Sequence, residues 1–210
     1  MRSLLKKDIY LIWKVAPLIP FIMVLISVIS LGSQSNWGLL VEMGILSVTL
    51  VMLCMEVDEG NRWHVFQDTM PISRRMVVCE KYILLCLGAL VSTALQAFCN
   101  TVYGLIKWGR VEAGNILFLP MIIFASAVIF GAVQLPFYFR FGCIRGRTIH
   151  RIMLAFGMIT AVTLAREFKI PQHIPLHPMV LFSGLLGIGL AVAVVSYLIS
   201  VRMYRKRDLR

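Results

Sequence analysis

Two stretches of this chain carry no charged residue at all, residues 15–41 and residues 82–106. A helix needs about 20 apolar residues to cross a hydrocarbon core of about 30 Å, and both stretches exceed that length. Further apolar runs follow, and no hydrophilic segment is long enough to form a soluble domain. Apolar residues make up 59% of the 210 and charged residues 15%, with a mean hydropathy of +0.84. The chain reads as an all-α integral membrane protein, with residues 1–210 forming a single transmembrane domain.

The apolar runs predict six spans, at 15–31, 38–55, 82–106, 116–137, 149–165 and 179–201. The fifth is short and has Arg151 near its start, where a long side chain can reach the headgroups. With both ends in the cytoplasm, seventeen of the 21 Lys and Arg fall on inner segments. Only Lys107, Arg110, Arg166 and Lys169 fall outside. That asymmetry is the positive-inside pattern, and removing the fifth span would leave the basic tail 202–210 on the wrong side. Pro17 and Pro20 interrupt the first run early and more spans follow, so the expectation is an uncleaved first helix rather than a signal peptide.

The net charge of +11 does not indicate a nucleic-acid partner, because the basic residues flank apolar runs and lack interleaved aromatics. They fit membrane topology and contact with anionic lipid. Cys54, Cys79, Cys86, Cys99 and Cys143 are odd in number and lack CxxC spacing. They read as small hydrophobes rather than a disulfide or zinc framework.

Residues 1–14 form an amphipathic segment, with Leu5, Ile9 and Ile12 at helical spacing beside Trp13, and Lys6, Lys7 and Lys14 towards the other side. It is expected to lie in the interface plane, or simply to set orientation as a basic flank. The inner loop 56–81 is the longest connection and the natural place for a soluble partner to dock. Glu56, Asp58 and Glu59 come first and suit the positive end of a helix starting near them. Trp63, Phe66 and Met70 then recur at i, i+3 and i+7 as one apolar stripe. Pro71 ends that helix, Ser73 is the expected N-cap of the next, and Arg74, Arg75 and Lys81 form a basic anchor at the third span. The simpler reading, a helix floating on the inner leaflet, is weakened by the acidic residues that anionic lipid repels.

Asp58, Glu59, Trp63, Met70, Pro71, Ser73, Arg74, Arg75, Lys81 and Tyr82 together resemble a pattern of type-two ATP-binding-cassette (ABC) permeases. In that family acidic residues and an aromatic precede a Leu/Met-Pro-x-Ser-Arg turn and a Lys-Tyr pair. Within it the likeness is to small bacterial permeases that export amphipathic or antimicrobial peptides, phenol-soluble modulin exporters among them. The resemblance implies a cell-membrane permease that pairs with a second permease subunit, as homodimer or heterodimer, and docks on a cytoplasmic nucleotide-binding ATPase. It implies that the helix between spans two and three is a coupling helix. Trp63, Phe66 and Met70 would form its packing face and Asp58, Glu59 and Arg62 its polar rim. No G-x-x-x-x-G-K-[ST] occurs in the chain, so ATP and Mg are expected on the partner and no cofactor on this chain.

Inside the spans, Ser92, Gln96 and Asn100 share one face of the third, Gln134 lies on the fourth, and Glu42 lies near the outer end of the second. These are candidates for lining a substrate path, or for hydrogen bonding between packed helices. Small residues recur as Ala127/Gly131 and Ser183/Gly187/Ala191, which suits close packing within one subunit. His173 and His177 are spaced four apart but sit among prolines, which argues against a metal pair. Two other function classes stand against the exporter. An intramembrane enzyme would need H-E-x-x-H, paired glutamates or G-x-S-x-G, which are missing. A secondary transporter or scaffold working without ATP would show an internal repeat or midplane charges, and neither stands out.

Overall fold

The computed structural model describes residues 2–15, 37–63, 73–108, 113–167 and 178–206, together with positions 17, 18, 21, 22, 24, 25 and 69. The elements are all helices: α1 (Arg2–Val15), α2 (Trp37–Gly60), α3 (Arg74–Trp108), α4 (Ala113–Glu167) and α5 (Pro178–Lys206). No strand occurs among the described residues. At 1.5 Å per residue, α2 with 24 residues and α3 with 35 are about 36 and 52 Å long. Among the described residues, three apolar stretches are long enough to cross a membrane: Arg74–Ile106, Phe124–Met153 and Leu186–Tyr204. The expected first span lies largely outside the described residues.

The middle stretch does not run straight. Gly142 sits at φ 79°, ψ 176° within α4, a backbone region that is essentially glycine's alone. His150 Nδ1 lies 2.7 Å from Gln134 Oε1, although a straight helix would separate residues 16 apart by about 24 Å. Phe130 faces His150 with ring centroids 6.3 Å apart. A Cβ on Gly146 would lie 2.9 Å from the Tyr138 ring. All three pairs bracket Gly142, so α4 is a helical hairpin whose arms, 113–141 and 143–167, meet at a one-residue turn. Spans at 116–137 and 149–165 imply an inner loop between them. Instead helix continues to Gly142 on both sides.

The packed helices run both parallel and antiparallel to one another. The outbound arm of α4 and α5 run parallel: Gly189 packs by Ile129, Ser196 Oγ donates to Ala132 O, and Tyr204 meets Phe139 edge-on at 5.4 Å. α3 runs against them, its start beside the end of α2. The core sits where these helices cross, from Val48, Val51 and Met52 through Val78, Leu84 and Leu85 to Leu135, Tyr138, Phe139, Val201 and Tyr204. Its tightest approach is between α3 and α4, where the Leu85 side chain fills the space that a Cβ on Gly131 would need. Ala127, one turn earlier, is fully buried, so this small-residue pair packs within the subunit as expected. On the α5 stripe, among the described residues, nothing stands within 4 Å of a Cβ on Gly187, Ala191 is exposed, and the Ser183 side chain lies outside the described residues. The outward side chains of α3 and α5 are themselves apolar, among them Leu90, Val91, Phe98, Ile188, Val194 and Leu198. Such a surface suits a hydrocarbon solvent.

α1 packs on the other helices through one face. Leu4 and Asp8 are buried, and Leu11 and Ile12 pack on the core. Ile9, Tyr10 and Trp13 are exposed. The inward stripe is therefore Leu4, Asp8, Leu11 and Ile12, with a carboxylate at its centre.

Candidate functional site

That buried carboxylate is the key to the site. A charge taken out of water costs several kcal/mol unless it is paired, and Asp8 is fully buried. Lys81 Nζ, from the second turn of α3, lies 2.6 Å from Asp8 Oδ2 and 2.9 Å from Asp58 Oδ2. Lys7 Nζ lies 2.6 Å from Asp58 Oδ1 and 3.1 Å from Asp8 Oδ1. Two ammonium groups and two carboxylates thus close a neutral cluster joining α1, the end of α2 and the start of α3. The Lys81 side chain is 4% exposed. The basic anchor expected at position 81 is corrected accordingly: this lysine points into the protein and not at lipid. Glu80 beside it is also buried, and its Oε1 has no hydrogen-bond partner among the described residues.

Asp58 and Glu59 were expected to open a helix, but they occupy the last turn of α2, which runs on to Gly60. Carboxylates are disfavoured at that negative end, and the lost energy is recovered through contacts to other elements. Asp58 is held by the two lysines. Glu59 Oε2 accepts a hydrogen bond of 2.5 Å from the backbone N–H of Cys143, the first residue after the α4 turn. A side chain of α2 thereby holds the first backbone N–H of the return arm of α4. Glu56 Oε1 receives Arg147 Nε at 2.7 Å one turn further on.

α3 is tied on its other side as well. Tyr82 Oη lies 2.5 Å from Ser196 Oγ and 2.9 Å from Ser200 Oγ of α5. The adjacent residues Lys81 and Tyr82 therefore bind α3 to α1 and α2 on one flank and to α5 on the other. The inner loop that leads into α3 is shorter than the expected 56–81, since α2 covers 56–60 and α3 begins at Arg74. Ser73 caps α3, its Oγ accepting from the Met76 N–H at 3.4 Å. Arg75 is exposed and Arg74 half-buried. Arg62 takes a positive φ of 50° just after α2, the left-handed conformation that commonly ends a helix. Trp63 lies under Lys7 Nζ, 4.6 Å from the ring centroid, a cation–π contact. The other stripe residues, Phe66 and Met70, lie outside the described residues, and so does Pro71.

Three of the residues suggested for a substrate path, Ser92, Gln96 and Gln134, are among the described side chains, and all three are buried. Ser92 is buried and donates to Ala89 O of its own helix at 2.9 Å. Gln96 is buried on the same face. Gln134 pairs with His150 across the hairpin, a partner that was not foreseen. Its Nε2 has no partner among the described residues. The side chains of Asn100 and Glu42 lie outside the described residues, as do His173 and His177. No group of three metal-ligating side chains gathers among the described residues.

The sequence held a usable signal for the missed ion cluster. Asp8 is the lone acid in a basic segment and falls on one face with Leu4, Leu11 and Ile12. A charge on an apolar face requires a counter-charge, and Lys81 is the last cation before a charge-free span. Chemically this arrangement binds helices to one another; it presents no nucleophile paired with a base.

The family described as ABC-2 family transporter protein matches this chain over residues 3–205. No curated protein and no solved structure matches it.

Proposed function

The chain belongs to the ABC-2 family of transporters, in which the membrane component moves substrate and works with an ATPase component, and from that membership we propose that it is the permease subunit of an ATP-driven peptide exporter. The exported class is amphipathic or antimicrobial peptide, carried outward by alternating access between two permease subunits. Six spans with both termini in the cytoplasm complete the arrangement, the first of them formed by residues 15–31.

One observation carries the mechanical part of this reading. The loop at 61–73 is bounded on both sides by residues that grip other helices. On its α2 side Asp58 and Glu59 hold Lys7, Lys81 and the α4 turn; on its α3 side Lys81 and Tyr82 hold α1 and α5. A push delivered to the end of α2 and the start of α3 by an ATPase reaches all five described helices through these contacts. The Trp63, Phe66 and Met70 stripe supplies the surface that the ATPase grips, with Asp58, Glu59 and Arg62 near its rim. The ends that meet here also carry most of the basic residues, which suits a cytoplasmic location.

Replacing Trp63 and Phe66 together by alanine should leave insertion and folding unchanged while uncoupling ATP hydrolysis from export. Peptide export and stimulated ATPase activity, measured in vesicles containing both components, would be compared with wild type. Wild-type export by the double variant would contradict the coupling role. Topology is tested separately. In a cysteine-free background, Ser73→Cys should react only with reagent supplied from inside and Ser35→Cys only with reagent from outside. Labelling of both from one side would overturn the six-span arrangement.

A further inference from the structure

A groove of about 470 Å³ runs between the outbound arm of α4 and α5. Ala132, Pro136 and Phe137 form one wall, and Val192, Val195 and Ile199 form the other. Ala132 and Pro136 are four apart, and Val192, Val195 and Ile199 follow i, i+3, i+7 spacing on a parallel helix, so the groove runs along the helix axes rather than across them. On α5 it extends from Ala191 to Met203, about 18 Å at 1.5 Å per residue. That is close to half of a hydrocarbon core about 30 Å thick. At the same end as Met203 stands Arg140, the only charged residue in its lining. Arg140 is exposed and lies two residues before the Gly142 turn. Its guanidinium rests on the Phe141 ring, 5.1 Å from the centroid. It forms no ion pair with a described carboxylate, whereas Arg147 on the other side of the turn is paired with Glu56.

We propose that this groove is a binding site for one anionic phospholipid of the inner leaflet, with an acyl chain along the α4–α5 cleft and the headgroup phosphate on Arg140. The chemistry of the two ends selects this occupant. The trough is apolar over the depth of one leaflet. It ends at a single cation whose planar fork matches a phosphate's oxygens and whose stacking on Phe141 fixes its orientation. A peptide substrate would need polar partners along the trough for its backbone, and the trough offers none of the kind, since the Ser196 hydroxyl is already engaged by Tyr82 and Ala132. A second copy of the chain would bring apolar side chains into the cleft but nothing to match the cation. The inference is independent of the exported substrate and of the ATPase.

The test is native mass spectrometry of the full chain in detergent, titrated with phosphatidylglycerol or with phosphatidylcholine of the same acyl chains. Phosphatidylglycerol should bind in a saturable 1:1 complex. Arg140→Gln should weaken it about tenfold or more, as expected for loss of a charge-assisted contact, while Arg145→Gln, an exposed arginine outside the groove, should leave it unchanged. Val195→Trp, which fills the cleft, should abolish the complex without changing helical content. Equal binding of both lipids, or binding that survives both Arg140→Gln and Val195→Trp, would overturn the proposal. It would also be overturned if Val195→Trp converted a dimer of the purified chain to monomer, because the cleft would then hold a second copy.

Discussion

Replacing Lys81 by methionine should destabilise the protein by about 3–5 kcal/mol, the cost of removing one partner from a buried ion pair. The methionine keeps the length of the stem and fills the space, so the loss comes from charge and not from a cavity. It leaves Asp8, fully buried, and the partly buried Asp58 with Lys7 as their only cation. The measurement is the thermal unfolding midpoint of the purified protein, together with its yield in membranes. Adding Asp8→Asn to Lys81→Met should recover much of the loss, because the pair acts as a unit and its members do not contribute additively. A single variant that unfolds within about 1 kcal/mol of wild type would mean that the cluster is wet and contributes no more than a surface pair.

Gly142→Ala should have the second-largest effect. At φ 79°, ψ 176° any Cβ meets the neighbouring backbone, a strain of about 1–3 kcal/mol. The position is also the pivot of the hairpin, so relieving the strain would open the arms and separate Gln134 from His150 and Cys143 from Glu59. The unfolding midpoint should fall by about 2–4 °C for each kcal/mol lost. A cross-link between Gln134→Cys and His150→Cys, formed readily beside Gly142, should fail in the alanine background. Gly184→Ala is the matched control: nothing lies within 4 Å of its Cβ, and a helix-interior glycine replaced by alanine gains a few tenths to about 1 kcal/mol. If both substitutions behaved alike, the turn would not depend on glycine.

The sequence showed the helical, membrane-spanning character because hydrocarbon imposes a length and a composition that no other solvent demands. It also marked Ser73 as a cap and Gly131 as a close-approach position, since both signals are local. Long-range pairing was harder to read. Asp58 and Glu59 look like helix-opening residues when only the downstream stripe is considered. Their position at the end of α2 is tolerated because Lys7, Lys81 and the Cys143 amide compensate from three other elements, and no local rule contains those partners. The inward face of α1 was not legible for a related reason. Ile9 and Trp13 have the larger apolar surfaces, but in a protein surrounded by lipid the outside is also an apolar environment, so hydrophobicity does not distinguish in from out. The buried polar residue does. The Gly142 turn was hidden for the opposite reason: a one-residue reversal leaves no polar loop to announce it, and Arg140, Arg145 and Arg147 around it look like ordinary loop charges.

Lys7 has two jobs that cannot be separated. Its ammonium neutralises Asp58 at 2.6 Å and covers the indole of Trp63 at 4.6 Å. Any displacement of that indole must therefore stretch a tether rooted in the amino-terminal helix. Like a tendon that crosses two joints, the side chain makes α1 feel whatever load reaches the loop.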